Sequence, residues 1–345
     1  MSIVLPVRNE EDAIAARITD FLAQDYPAAS LELIVVDGRS TDGTIDIARG
    51  AAETHAADSH VQRIRILDNP ERQVSSGLNI GIAAASGEIV VRWDGHTAYE
   101  ASYVAQCVRI LRESGAWNVG GPARTRAITF VQRAISSVYH SPFAVGGARF
   151  HDVGYAGPVD TVPYGCWWKR TLLDLGGFDE GLIRNQDDEL NLRIHKRGGT
   201  VFQSPSIISW YSPRSSLRSL FKQYYQYGYW KVRVIRKHRL PASWRHLVPP
   251  LFVAGLLGGA GCSVFSVTVL WIWASVVVLY VCLVVFFSAR AAALDGWRLL
   301  PLLPGIFMAF HVSYGLGFLS ALFSSRGSVG HDGGQSSGRA TSLSR

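Results

Sequence analysis

From Leu247 to Ala289 there are forty-three residues without one charged side chain or histidine. That silence restricts the fold more than any other feature of the chain. It comprises two apolar runs, Leu247–Ser266 and Val267–Ser288, and a third follows at Leu299–Phe323. Each reaches the roughly 20 residues that a helix needs to cross about 30 Å of hydrocarbon. The first two are hydrophobic all round, which is rare for a core helix and ordinary for a membrane span. Three transmembrane helices are therefore expected over 247–323.

Charge orients them. Between Asn191 and Leu294 there is no Asp or Glu but there are thirteen Lys and Arg, nearly all ahead of the first apolar run. The second loop carries Arg290 and Arg298, and the link near Cys262–Phe265 carries no charge. With positive residues inside, the amino-terminal part and the 289–298 loop face the cytoplasm, and the basic strip lies against an anionic membrane surface. The net charge of +7 is thereby assigned to lipid, with no nucleic-acid partner expected. Arg8, Glu10, Glu11 and Asp12 interrupt any signal-peptide start. Cys107, Cys166, Cys262 and Cys282 have no zinc-site spacing, and a reducing compartment argues against disulfides.

The amino-terminal part alternates apolar runs with helical patterns. Strands are predicted at Ser2–Val7, Leu31–Val36, Arg63–Leu67 and Glu88–Trp93. Helices are predicted at Ala13–Gln24, from about Thr41 through Ala48, and at Ser76–Ala85. Such alternation gives an α/β, mostly parallel sheet flanked by helices, with ligands beyond the carboxyl ends of the strands. Asp37 and Asp94 fall on that edge. Residues 120–170, rich in Gly, aromatics and Arg, read as irregular loops followed by a strand near Val162–Trp168. A short helix at Leu172–Leu175 and a stronger one at Asp187–Lys196 come next, the latter with Asn185 as N-cap and acids in its first turn. The expected organisation is a domain over 1–213, a basic aromatic interfacial segment over 214–246, a membrane domain over 247–323 and a disordered tail over 324–345.

Four motifs, in this order and spacing, resemble the family 2 glycosyltransferases, which have the GT-A fold, and in particular the membrane-associated succinoglycan-type glucosyltransferase group. They are Leu5-Pro-Val-Arg-Asn-Glu10, Val35-Val-Asp-Gly-Arg-Ser-Thr-Asp-Gly-Thr44, Gly77-Leu-Asn-Ile-Gly81 with Ala85-Ser-Gly-Glu88, and Asn185-Gln-Asp-Asp-Glu-Leu190. The resemblance implies nucleotide binding by Asp37, whose carboxylate would accept the pyrimidine N3–H. Glu10, Asn79 and Asp94 are further donor-binding candidates. Read from the residues alone, Asp37 is a helix cap, although Ser40 or Thr41 is better placed for that task.

Asp94-Gly-His96 stands where the family usually carries Asp-x-Asp. It implies a divalent ion on Asp94 and His96, Mn²⁺ before Mg²⁺, because imidazole suits the softer ion. By itself a loop histidine is an ordinary surface residue. Asp187 corresponds to the general base, with Asp94 as the second catalytic acid. Without the resemblance, Asp187, Asp188 and Glu189 are equally first-turn acids favoured by the helix dipole. Gln223-Tyr-Tyr-Gln-Tyr-Gly228 departs from the Gln-x-x-Arg-Trp of processive members. His311 reads as a helix–helix hydrogen-bonding residue.

The reading implied is an inverting transferase of the bacterial inner membrane. It would move one hexose from a nucleotide sugar, UDP-glucose first, to a polyprenyl-diphosphate-linked saccharide in exopolysaccharide assembly, beside other assembly proteins. The alternatives are a processive polysaccharide synthase and a non-catalytic membrane scaffold.

Overall fold

Ile3, Leu5 and Val7 point to one side of their strand and Val4 to the other, and each side finds its own core. The computed structural model describes residues 1–56, 63–241 and 243–324. Its described residues divide into two compact units, one of 1–125 and 149–212, the other of 126–148 and 213–324. The tail after Ser324, expected to be disordered, lies outside the described residues.

The first unit holds strands β1 (Ser2–Val7), β2 (Glu32–Asp37), β3 (Arg63–Asp68), β4 (Ile89–Arg92), β5 (Thr97–Tyr99), β6 (Asn118–Gly120), β7 (Arg124–Thr125), β8 (Gly157–Val159), β9 (Cys166–Trp168), β10 (Val201–Gln203) and β11 (Ser209–Tyr211). Its main sheet runs β3-β2-β1-β4-β9-β6-β10-β8, and β5-β11-β7 form a small second sheet. β1 to β4 are parallel, joined through helices α1 (Glu11–Leu22), α2 (Thr44–Ala56) and α3 (Val74–Ala84). β9 pairs antiparallel with both β4 and β6, and β8 antiparallel with β10. The sheet is thus mixed: six strands run one way, in keeping with the mostly parallel sheet expected, and β8 and β9 run against them. Helical crossovers enforce parallel pairing only where they occur: among the described residues no helix lies between β8 and β9, and the α-helices of 126–148, ahead of β8, belong to the other unit.

One face of β1 packs with Ile14, Ile18 and Phe21 of α1. The other packs with Leu78 and Ile82 of α3 and with Leu190 and Ile194 of a later helix. Gly81 permits the close approach of α3, since a Cβ there would fall 2.3 Å from Val4 Cγ1. The order β2-β1-β4 places the topological switch between β1 and β4, the crevice where open sheets take ligands. Helices α4 (Tyr103–Ser114), α7 (Lys169–Leu175) and α8 (Gln186–Lys196) complete this unit.

The second unit begins with α5 (Phe130–Tyr139) and α6 (Pro142–Val145), inside a stretch expected to be irregular and assigned to the first domain. A capping box opens α5: Thr129 accepts from Gln132 N and Gln132 returns the bond to the Thr129 backbone. Its buried Ala134, Ile135 and Val138 join the core of the apolar helices. These are α9 (Leu217–His238), α10 (Val248–Cys262), α11 (Val267–Asp295) and α12 (Leu303–Phe323).

Among the described residues two helices, not three, are long and apolar enough to cross a membrane: α11 with 29 residues and α12 with 21. The first expected span is corrected. α10 has 15 residues and closes at Cys262 after a glycine-rich stretch, and Ser266 caps the start of α11. It covers only about 22 Å along its axis.

Within the basic aromatic interfacial segment expected over 214–246, Leu217–His238 forms α9, but part of its aromatic face is not free for lipid. Tyr224 lies against Phe310, with ring centroids 4.1 Å apart, and the Tyr225 hydroxyl donates to Ser320 at 2.7 Å. Gly228 and Gly317 let α9 and α12 touch, because a Cβ at either would sit 2.0 Å from a backbone oxygen of the other helix. His311 bonds between segments as the sequence suggested. Its Nε2 donates to the Phe143 carbonyl at 2.9 Å, so its Nδ1 accepts from the Tyr280 hydroxyl at 3.0 Å.

Candidate active site

The loops after β1 and β2 are knitted together before any ligand is considered. Asn9 turns the chain in the left-handed region, φ 55°. Its Oδ1 accepts from Thr41 N at 2.8 Å, its own N–H donates to Ser40 Oγ at 2.9 Å, and Glu10 N donates to Thr44 Oγ1 at 2.7 Å. Asp37, buried at the end of β2, accepts from the Ser40 hydroxyl at 2.6 Å and from Ser40 N at 3.2 Å. Ser40 therefore braces Asp37 and does not cap α2, which starts only at Thr44. Burial works against the Asp42 charge, but bonds from Thr44 and Glu11 N outweigh it and hold that carboxyl below its ordinary value.

Beyond the switch point lies a continuous line of ionisable groups. Glu10 is buried, and its Oε1 stands 3.4 Å from His96 Nε2. His96 N donates to Asp94 Oδ1 at 3.1 Å, and Asp94 N donates to the Tyr99 hydroxyl at 2.8 Å. Asp94 Oδ2 is 3.9 Å from one arm of Arg92, and the other arm makes an ion pair with Asp187 Oδ1. The structure thus brings Glu10, His96, Asp94 and Asp187 into one network through Arg92. The sequence reading missed that arginine, although a cation closing the strand Ile89-Val-Val-Arg92 two residues before Asp94 was a visible signal.

Asn79 is committed elsewhere. Its amide donates to the Phe178 carbonyl at 2.9 Å and to Glu180 at 2.7 Å, and its oxygen accepts from Phe178 N at 2.8 Å. It latches α3 to the turn after α7.

The three consecutive acids of α8 separate by environment. Glu189 is fully buried and accepts from Arg193, whose guanidinium also donates to the carbonyls of Leu175 (2.6 Å) and Gly177 (2.7 Å). That pair fastens α8 to the α7 turn. Replacing Glu189 with Ala leaves a partly buried guanidinium without its carboxylate and should destabilise the first unit by about 3 kcal/mol, read as a fall in thermal midpoint. Asp187 keeps 27% of its side chain accessible. Burial pushes its carboxyl above the ordinary value, with Asp94 and Asp188 adding to the rise, and Arg92 opposes the shift. A carboxylate with raised pKa and partial exposure can accept a proton. Asn185 occupies the N-cap position, but with φ 63° and no side-chain capping bond.

Among the described residues no three His, Cys, Asp or Glu converge as a ready-made metal cage. Asp94 and His96 offer one carboxylate and one imidazole from a single loop, with side chains 38% and 36% accessible. Such a pair fits an ion that takes few protein ligands and fills its other positions with phosphate oxygens and water.

A mixed sheet with acids gathered at the carboxyl ends of its central strands is an α/β fold of GT-A type. The mannosyltransferase PcManGT from Pyrobaculum calidifontis, solved with GDP-mannose and Mn²⁺, shares this fold at a TM-score of 0.63 and 19% identity, covering 94% of this chain and 87% of that one. Residues 2–156 match the family model described as glycosyl transferase family 2, so the chain carries a family 2 glycosyltransferase domain and is a glycosyltransferase.

Its similarity to two relatives extends well past that domain. One is the dolichyl N-acetyl-α-D-glucosaminyl phosphate 3-β-D-2,3-diacetamido-2,3-dideoxy-β-D-glucuronosyltransferase of Methanococcus voltae, 27% identical over 93% of this chain and 97% of that protein. The other is the succinoglycan biosynthesis protein ExoA of Rhizobium meliloti, 29% identical over 79% of this chain and 82% of that protein.

Proposed function

We propose that this chain is a membrane-associated inverting transferase that moves a single hexose from a nucleotide sugar to a polyprenyl-diphosphate-linked saccharide. The observation that carries this reading is the line Glu10–His96–Asp94–Arg92–Asp187 across the switch point of the sheet. Glu10 and Asp37 would hold the nucleoside. Asp94 and His96 would hold a divalent ion, Mn²⁺ before Mg²⁺, which supplies positive charge against the departing diphosphate. Asp187 takes the proton of the acceptor hydroxyl as its oxygen bonds to the anomeric carbon and the bond to the β-phosphate oxygen breaks.

The names of the relatives support a lipid-linked acceptor and a place in exopolysaccharide assembly. UDP-glucose is the donor proposed. The two long apolar helices and the basic end of α9 support an inner-membrane location with the catalytic unit on the cytoplasmic side.

The test offers the purified chain a panel of UDP-glucose, UDP-galactose, UDP-N-acetylglucosamine and GDP-mannose. The acceptors are undecaprenyl phosphate and undecaprenyl-diphosphate-linked saccharides, with products weighed by mass spectrometry. One added hexose is the expected product. Long homopolymer, or no transfer from any donor, would overturn the reading.

A further inference from the structure

Arg92 occupies the last position of β4, in the middle of the sheet. It is paired in register with Val4 of β1 on one side, and its N–H donates to the Gly165 carbonyl at 3.1 Å on the other. Its side chain is buried, so a guanidinium has been taken out of water in a strand that is otherwise apolar. Such a charge is costly unless carboxylates face it. Two do: Asp187 in direct ion-pair contact and Asp94 at 3.9 Å. Together they hold the Arg92 pKa above its ordinary value even though burial pulls it down.

Asp187 sits at the start of α8, just after Asn185 in a left-handed conformation and without a capping side chain. What its carboxylate meets is Arg92, mounted on a central strand.

We propose that Arg92 is the positioning residue of the transferase, fixing the Asp187 carboxylate in place and tying it to the Asp94 loop through one guanidinium. This rests on Asp187 being the base, as proposed above. A planar fork on a rigid strand can face two carboxylates at once, whereas a lysine presents only a point charge. The mechanistic consequence is coupling. The acid on the donor side and the acid on the acceptor side are held at a fixed separation before either substrate arrives. Misplacing a reacting group by about 1 Å can cost on the order of 10²-fold in rate.

The experiment compares wild type, R92K, R92M, D187N and R92M/D187N, using the donor and acceptor that give the highest wild-type rate in the panel above. It reads kcat, donor KM, calorimetric binding of UDP with Mn²⁺, and thermal midpoint. R92M should lower kcat by about 10- to 100-fold with donor KM and UDP affinity within about threefold of wild type. R92K should recover part of that loss. In the D187N background, R92M should have no further effect on kcat, because its contribution passes through the carboxylate already removed.

Three results would overturn the inference: R92M transferring at the wild-type rate, losses of R92M and D187N that multiply, or R92M weakening UDP binding while sparing kcat. If R92M does not fold, R92K decides. Equal kcat for folded R92K and wild type would then dispose of the bidentate role. An inactive wild type would overturn the proposed function, whereas an active wild type with an insensitive Arg92 overturns this inference alone.

Discussion

Changing Asp187 to Asn is expected to slow transfer by roughly 10²-fold or more while nucleotide affinity stays near the wild-type value, the pattern of lost proton acceptance. The amide keeps the size of the side chain but cannot take the acceptor's proton. The same residue should set the acid limb of the pH–rate profile. Burial raises its carboxyl above the ordinary 3.8, with Arg92 limiting the rise. Because the ionised form is the active one, activity should be full above the raised pKa and fall as pH drops through it. The limb therefore lies at higher pH than an ordinary aspartate would give, and it should disappear in the residual rate of D187N. Steady-state transfer rates over a pH series on both proteins check this. D187N transferring at the wild-type rate would remove Asp187 as the base.

The parallel half of the sheet could be read from the sequence because each strand there is a short apolar run closed by a polar loop. Ser2–Val7 matches its observed bounds, and the expected Leu31–Val36 and Arg63–Leu67 each lie within a residue of the observed Glu32–Asp37 and Arg63–Asp68. Strand ends are also where Asp37 and Asp94 lie, so two acids of the network's edge came with the strand assignment. The partner of Asp187 did not. Arg92 and Asp187 are 95 positions apart, on β4 and α8, and no local signal in the sequence brings that strand end and that helix start together.

Separating Glu189 from Asp187 needed burial as well, since charge pattern treats neighbouring acids of one helix turn alike. α5 was missed for a different reason. Its Thr129-x-x-Gln132 box was present in the letters, but glycine and aromatic content on either side pointed to loops. The first apolar run failed as a span because hydropathy averages over residues, whereas the turn before Ser266 depends on where the helix closes.

Asp94 to Asn should abolish measurable transfer and weaken nucleotide binding in Mn²⁺, since the loop then offers one neutral imidazole and no carboxylate to an ion on the diphosphate. His96 to Asp has a different expected outcome. An oxygen in place of the imidazole should move metal preference from Mn²⁺ toward Mg²⁺. It also sets a third acid beside two others, because His96 now stands 3.4 Å from the buried Glu10 and donates its backbone N–H to Asp94. Without a cation those carboxylates repel one another and the incoming diphosphate. Nucleotide binding by H96D should therefore depend more steeply on divalent metal than that of wild type, and should fall further in chelator. Calorimetric titrations of UDP into wild type, D94N and H96D, each with Mn²⁺, Mg²⁺ or excess chelator, separate these effects from catalysis. If wild type binds UDP and transfers sugar equally well in chelator, the ion is no part of the site. His96 would then serve Glu10 as a hydrogen-bond partner, and Asp94 would act through Arg92 alone.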